Sequence, residues 1–188
     1  MVLEIEEHFG VPFGQPDEIA GDPESYEALG GFSATQGADQ WRYEETFDGR
    51  TYRDLAWDSG GYEGRWTGSG LGRIGRIWME PSASSDLSRT FVSPSDGVLA
   101  LSGSIRKDLS AQNGASVQAR IVLNNSQIWP DNGWATIPPE FAKETAYHLD
   151  RVRVSKGDKL RFIIRRNEAN RADPVIWNPV IVIERGTP

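Results

Sequence analysis

The stretch Arg151–Glu184, RVRVSKGDKLRFIIRRNEANRADPVIWNPVIVIE, carries the clearest structural pattern in the chain. Val152 and Val154 alternate with arginines, and residues 159–165 alternate in the same way around Leu160, Phe162 and Ile164. Alternation with a period of two and one apolar face predicts half-buried β-strands. The intervening sequence Ser-Lys-Gly-Asp is typical of a tight turn, because its glycine can adopt positive φ.

This pattern predicts a hairpin closed by a three-residue loop, in which Val154 lies opposite Leu160 and Arg153 lies opposite Arg161. Like charges directly opposite one another are unfavourable, so we expect an anionic group over the two arginines. The run from Val175 to Ile183 is apolar almost throughout and predicts a central strand of a packed sheet.

The remaining chain repeats this pattern in short segments separated by turn sequences. About nine short strands with frequent turn signals predict an all-β fold, an antiparallel β-sandwich of jelly-roll type. No convincing amphipathic helix interrupts it. Besides the opening stretch, the strand-like segments are residues 41–47, 52–57, 74–79, 87–92, 98–105, 117–123, 128–129 and 146–154.

Charge and composition divide the chain into two parts. Residues 1–30 hold eight carboxylates and no lysine or arginine, and glycine and proline interrupt them, which predicts an acidic lead-in or linker. Residues 31–186 are the predicted sandwich domain. The formal net charge of −7 argues against a nucleic acid partner, since phosphate binding needs a basic footprint. The chain has no cysteine, which excludes disulfides and thiolate metal sites.

The sequence also bears on location. It has no apolar run of about 18 residues, so we expect no membrane insertion. The first ten residues lack the basic start and apolar stretch of a signal peptide. Either the protein is cytoplasmic, or the chain is a monomeric piece of a longer exported protein. We favour the second interpretation, which locates the protein outside the cell or at the cell surface.

Four segments in order resemble a β-sandwich module that recurs in secreted bacterial proteins, often appended to glycoside hydrolases and polysaccharide lyases. They are GFSATQGADQWRYEETFDG (31–49), SRTFVSPSDGVLALSGSIRK (88–107), NGASVQARIVLNNSQIW (113–129), and VRVSKGDKLRFIIRR with ADPVIWNPVIVI (152–166 and 172–183). The chain departs from the module at Asn178 and Asn113, where the module has acidic residues. The resemblance implies a carbohydrate-binding module.

Aromatic side chains on loops are the first candidates for such binding. Sugar rings present flat C–H faces, and an exposed indole offers a matching apolar surface. Trp129 and Trp134 flank a Pro-Asp-Asn-Gly loop, and Tyr62 and Trp66 lie in a glycine-rich segment. The alternative is that these rings cap the core from its rim. For Trp41, Trp57, Trp78 and Trp177, which lie in strand-like runs, the sequence favours a structural role.

Polar side chains beside these rings complete the predicted site. Arg73 and Arg76 with Asp131 and Asn132 are predicted to bind sugar hydroxyls or acidic substituents. Clusters of arginines, which also include Arg65, Arg165, Arg166 and Arg171, favour a polysaccharide that carries acidic groups. The alternative is that the arginines pair with the protein's own carboxylates. Asp173 and Asn178 are weaker candidates of the same kind, because such residues commonly cap turns.

Catalysis and metal binding have less support in the sequence. The two histidines, His8 and His148, offer no basis for a Ser-His-Asp or His-metal site. We therefore expect no catalytic residues and no cofactor, although loop carboxylates and carbonyls leave a structural calcium ion open. The predicted partners are a polysaccharide and a catalytic domain of the same parent chain. A structural or adhesion module, or a small lyase or hydrolase, remains an alternative.

Overall fold

The computed structural model describes residues 23–111, 116–167 and 174–185. These residues form sixteen β-strands: β1 Glu24–Glu27, β2 Trp41–Thr46, β3 Tyr52–Asp54, β4 Ala56–Asp58, β5 Arg65–Thr67, β6 Arg73–Ile74, β7 Trp78–Glu80, β8 Asp86–Val92, β9 Gly97–Lys107, β10 Val117–Leu123, β11 Ser126–Trp129, β12 Ala135–Ile137, β13 Thr145–Val154, β14 Lys159–Arg166, β15 Val175–Trp177 and β16 Val180–Arg185. The only helical turns in this part of the chain are short 3-10 turns at Ala38–Gln40, Ser69–Leu71 and Leu109–Ala111.

The strands form two antiparallel sheets. Nine of the described strands make sheet A, in which β13 pairs with one edge of β9, and β15 and β16 pair with successive parts of its other edge. The other seven described strands make sheet B, in the order β11, β10, β14, β8, β2 and β3, with β12 pairing beside β11 on β10. The chain crosses repeatedly between the sheets, as in a jelly roll, so the predicted antiparallel β-sandwich is confirmed.

Alternate residues of each sheet fill the space between the two layers. Phe91 and Phe162 face inward from sheet B, and Trp177 and Ile181 do so from sheet A. The Trp177 ring meets the edge of Phe162 at a centroid distance of 5.4 Å. Burial of such large apolar side chains is the main favourable contribution to the folding free energy. Trp41 and Trp177 are fully buried, which confirms their predicted structural role.

The predicted hairpin between β13 and β14 is wrong. Strand β13 pairs with β9 in sheet A, whereas β14 pairs with β10 and β8 in sheet B, so the turn at residues 155–158 crosses from one sheet to the other. Arg153 therefore does not lie opposite Arg161, and the anionic group expected over that pair is not required. The alternation had correctly indicated two strands, although β14 is buried on both faces, with Arg161 and Ile163 covered on its outer side.

The predicted central strand from Val175 to Ile183 is correct in position but divided. It breaks at Asn178 and Pro179 into β15 and β16, and both halves pair with β9. The Asn178 side chain accepts a hydrogen bond from the Leu29 amide at 2.8 Å and donates one to Glu27 at 2.7 Å. Asn178 therefore holds the turn that follows β1.

Two further hairpins join segments that the sequence predicts as strands. Strands β2 and β3 form one around Asp48-Gly49, and β10 and β11 form the other around Asn124-Asn125. Strand β1, which pairs with β16, lies within the segment predicted as a lead-in, while residues 1–22 lie outside the described residues. In the part of the chain that the structure describes, no helix is long and apolar enough to cross a membrane.

Candidate functional site

The outer face of sheet B carries the most densely organised group of polar side chains. Ala119 and Ile121 of β10 point into the core, so Arg120 points outward. On β14, Phe162 and Ile164 are inward, which places Arg161, Ile163 and Arg165 on the same outer face. Ile163 is nonetheless 0% exposed. The neighbouring side chains of this face therefore form a further layer over the sheet.

Trp134 lies at the β10 end of this layer and contacts two arginines. Because Ala135 of β12 pairs with Ala119, Trp134 lies alongside Arg120. The guanidinium carbon of Arg120 is 4.2 Å from the centre of the Trp134 ring, and that of Arg165 is 4.1 Å from it. Both distances are within cation–π range. The predicted site residue Trp134 is thus a support for guanidinium groups, whereas the sequence had suggested a bare platform for a sugar ring.

Neither arginine is neutralised by an ion pair within residues 23–111, 116–167 and 174–185. The Arg165 Nε donates a hydrogen bond to the side-chain oxygen of Gln118 at 2.8 Å. The Arg120 Nε is buried and has no hydrogen-bond partner. A buried donor without a partner costs free energy. The two guanidinium groups therefore retain free hydrogen-bonding capacity and positive charge on this face.

A second cluster on the same face surrounds the buried carboxylate of Glu44. Glu44 accepts hydrogen bonds from Thr90 Oγ1 at 2.7 Å and from Arg161 Nε at 3.2 Å, and Lys159 Nζ lies 3.7 Å from its other oxygen. The Arg161 guanidinium carbon lies 3.9 Å from the centre of the Tyr52 ring. Burial raises the pKa of Tyr52. With one carboxylate and two cations, the cluster has a net charge of +1, which adds to the positive charge of Arg120 and Arg165 on this face.

Asp86 is a carboxylate that interacts electrostatically with both Arg165 and Arg120. It begins β8 on the outer face and forms no ion pair with a described residue. Burial raises the pKa of Asp86 above its ordinary value, and the positive charges of Arg165 and Arg120 offset only part of that rise. The ionised form of Asp86 is therefore held at a cost beside the cationic groups.

A cavity of about 440 Å³ opens beside Arg120. Arg50 and Arg120 supply its charges, and the side chains of Asn124, Asn125 and Gln127 supply neutral donors and acceptors. Its lining contains no carboxylate. The Gln127 side chain also donates to the carbonyls of Pro130 and Gly133, at 2.6 and 2.9 Å, and so ties the loop before Trp134 to the cavity wall.

Two of the predicted aromatic residues belong to the core. Trp66 is 3% exposed, stacks on Tyr43 at 5.1 Å, and donates its indole N–H to the Ser33 carbonyl at 3.0 Å. It lies in β5, and its predicted loop position is corrected. Trp129 faces inward beside Ile121 and packs on Tyr147 at 5.6 Å. The Trp66 ring presents no free face to a ligand, whereas Trp129 is partly buried against the core.

The other predicted residues are separated or already paired. Arg73 forms an ion pair with Glu80 at 2.6 Å, and Arg76 forms one with Glu63 at 3.1 Å, as the alternative interpretation had it. Tyr62 is fully exposed in the loop after β4, which belongs to sheet A. Asp131 and Asn132 are exposed in the loop that precedes Trp134 on sheet B. The structure therefore does not gather the eight residues into one platform.

Two of the weaker candidates, Arg171 and Asp173, lie outside the described residues. In the ranges that are described, no group of three or more histidine, aspartate and glutamate side chains is placed to hold a metal ion.

The sequence reasoning missed Arg120, Tyr52 and Asp86. The alternation Val-Gln-Ala-Arg-Ile-Val-Leu of β10 contained one usable signal, because it places Arg120 on the polar face. Nothing in the sequence indicated that β14 and β12 flank β10 and bring Arg165 and Trp134 to that arginine.

The protein is thus an antiparallel β-sandwich whose sheet B has a positively charged outer face, on which the Trp134 ring contacts Arg120 and Arg165. Solved structures to which the chain is similar include carbohydrate-binding modules. One is the xylan-binding CBM22-1 domain of Paenibacillus barcinonensis Xyn10C, with 12% identity over 89% of this chain and 98% of that chain and a TM-score of 0.40. Another is CBM51 from Clostridium perfringens GH95 in complex with methyl-galactose, with 10% identity over 84% and 99% and a TM-score of 0.39.

A family 35 carbohydrate-binding module from Clostridium thermocellum is also similar, with 14% identity over 85% of this chain and 96% of that chain and a TM-score of 0.36. At these identities and TM-scores the similarities carry no argument about the ligand. No protein-family model and no curated protein sequence matches the chain.

Proposed function

We propose that the chain is a non-catalytic carbohydrate-binding module that binds an acidic polysaccharide on the outer face of sheet B. The observation that carries the proposal is the pair of guanidinium groups, Arg120 and Arg165, on the Trp134 ring without a carboxylate partner among the described residues. A planar guanidinium forks onto carboxylate or sulfate oxygens, so the pair suits uronate or sulfated sugars.

The surroundings of the arginine pair support an extended saccharide as the ligand. The adjoining cavity offers the side-chain amide of Asn125, which can donate to and accept from sugar hydroxyls, and the side-chain oxygen of Gln127, which can accept from them. The exposed Asp131 and Asn132 lie on the loop beside it. The resemblance of four sequence segments, in order, to a carbohydrate-binding β-sandwich supports the same class of ligand.

A module that binds a polysaccharide without cleaving it can act by holding an attached enzyme at its substrate. An attached catalytic domain of the same parent chain would experience a higher local concentration of its polysaccharide substrate. We place this parent protein outside the cell, in a bacterium, because polysaccharides are encountered there and because the resembled module recurs in secreted bacterial proteins.

Affinity electrophoresis against neutral and acidic polysaccharides tests the proposal. We expect retardation of the wild type by an acidic polymer, weakening as salt is added because exposed charges are screened. The double variant Arg120→Gln/Arg165→Gln should lose the retardation. The matched control is Arg151→Gln/Arg153→Gln, which removes the same charge from exposed positions of sheet A and should be retarded like the wild type.

Two results would contradict the proposal. One is retardation that persists in the Arg120→Gln/Arg165→Gln variant while it is folded. The other is a wild type that no acidic polymer retards, which would favour a module whose arginine face meets the acidic groups of a protein partner.

A further inference from the structure

A second organised surface lies on the opposite side of the sandwich, on the outer face of sheet A. Ile74 of β6 and Met79 of β7 are fully buried, so their neighbours Arg73, Trp78 and Glu80 point away from the core. Arg120 and Arg165 point outward from sheet B. The surface around Trp78 and the arginine pair therefore face away from each other across the core.

The Trp78 indole is supported by backbone. A Cβ atom on Gly75 would lie 2.3 Å from the indole ring, so any larger residue there would displace the ring. The Trp78 side chain is half-buried, and its N–H donates no hydrogen bond to a described residue. Its ring lines a cavity of about 520 Å³. Trp78 thus differs from Trp41, Trp66 and Trp177, which are enclosed by the core.

The charged groups of this cavity are held in place by ion pairs and hydrogen bonds. Arg73 pairs with Glu80 at 2.6 Å, and Arg65 pairs with Asp58 at 2.8 Å. Asp108 accepts hydrogen bonds from the Ser110 amide and hydroxyl, both at 2.8 Å. Two arginines and two carboxylates therefore line the cavity, in contrast to the cavity of sheet B, which has arginines alone.

We infer that the outer face of sheet A, around Trp78, is a second carbohydrate site and that it is selective for a neutral sugar. An aromatic ring offers a surface to the C–H face of a pyranose. Paired guanidinium and carboxylate groups donate to and accept from hydroxyls, which can do both. The carboxylates of Glu80, Asp108 and Asp58 outnumber Arg65 and Arg73, so an anionic ligand would be disfavoured. The two faces therefore differ in the sugars that they select.

This second site goes beyond the proposed function, and either can fail without the other. If both hold, the module is bivalent and bridges an acidic chain on one face to a neutral chain on the other. Bridging of this kind raises the overall avidity for a mixed polysaccharide matrix without a new contact.

The test is affinity electrophoresis against soluble neutral polymers, namely a β-glucan, a xylan, a mannan and a galactan. The protein used carries Arg120→Gln/Arg165→Gln, so that the sheet B face cannot contribute. We expect retardation by one neutral polymer, and Trp78→Ala should weaken it at least about ten-fold, as for a central aromatic contact. Trp78→Phe should retain part of the binding, and Trp134→Ala should retain all of it.

Gly75→Ala provides a second, independent variant. It keeps the tryptophan but pushes the indole from its position, so neutral binding should weaken while urea unfolding shows that the domain is still folded. The inference is overturned if no polymer of the panel retards the protein, or if folded Trp78→Ala is retarded as strongly as its parent.

Discussion

The guanidinium carbon of Arg165 lies 4.1 Å from the centre of the Trp134 ring, and this contact crosses from β14 to the residue that precedes β12. Arg120 contacts the same ring from β10 at 4.2 Å. Cation–π contacts of this kind restrain the direction of a flexible arginine side chain. Trp134 thus keeps two positive charges close together on a sheet face without a neutralising carboxylate from the described residues.

The first prediction concerns the role of that ring. Trp134→Ala should lower affinity for the acidic polysaccharide roughly ten-fold, because both arginines lose their support. Trp134→Phe keeps an aromatic face, so its loss should be smaller. Titration calorimetry with the acidic polymer measures both. Full affinity in a folded Trp134→Ala protein would mean that the arginines act without the ring.

The second prediction concerns the pH dependence of binding. Burial raises the pKa of Asp86, so this carboxylate becomes neutral at a higher pH than an ordinary aspartate. An anion bound at Arg120 and Arg165 would be repelled by ionised Asp86. Affinity for a sulfated polysaccharide, whose charge does not change in this range, should therefore increase as the pH falls through the raised pKa.

Asp86→Asn is the matched variant for this prediction. It should bind the sulfated polymer about five-fold more tightly at neutral pH, corresponding to about 1 kcal/mol of removed repulsion. Its affinity should also vary less with pH than that of the wild type. Equal pH profiles for the two proteins would exclude Asp86 from the site.

The third prediction concerns stability. Burial tends to raise the pKa of Glu45, but hydrogen bonds from Ser85, Arg53 and the Ser69 amide outweigh it, and the pKa is lowered. A carboxylate whose pKa is lower in the folded state stabilises the protein above its unfolded pKa, near 4.3 for glutamate. That stabilisation is lost as the pH falls below this value toward the folded pKa.

Glu45→Gln should therefore reduce the free energy of unfolding at neutral pH by about 1–3 kcal/mol, because the buried donors lose a charged acceptor. Urea unfolding of both proteins from pH 7 to pH 3 checks this. The difference between them should shrink below about pH 4. A constant difference over the whole range would show that the charge of Glu45 contributes nothing.

The fourth prediction separates core from surface aromatic residues. Trp66→Ala should lower the free energy of unfolding by about 3–5 kcal/mol, since a buried indole leaves a cavity. Tyr62→Ala should change it by less than about 0.5 kcal/mol, because Tyr62 is fully exposed. Urea unfolding measures both. Unchanged stability in Trp66→Ala would contradict the structural role given to this residue.

Alternation along the chain was enough to predict the longer strands and the two-layer fold, because period two determines which residues face the core. It missed short strands such as β1, β5 and β12. It could not determine strand partners. The sequence Ser-Lys-Gly-Asp suits a hairpin, but here it connects β13 in sheet A to β14 in sheet B. The difference depends on tertiary packing and not on the turn residues.

The candidate site was predictable only in part, for the same reason. Trp134 and Arg165 were candidates, but their contact with each other and with Arg120 depends on which strands flank β10. Trp66 lies in a strand of three residues, too short to display a period within its glycine-rich surroundings. The partner of Arg76, Glu63, is thirteen residues away with β5 and β6 between them, which no local pattern reveals.

The most direct test of the central claim compares an acidic polysaccharide with its carboxyl-reduced derivative, which has the same backbone without the charge. Titration calorimetry of the wild type should give binding to a uronate polymer and a loss of at least about ten-fold for the reduced polymer. In Arg120→Gln/Arg165→Gln the two polymers should bind equally weakly. If the wild type binds both polymers with the same affinity, the arginine pair does not select the ligand and the account of sheet B is wrong.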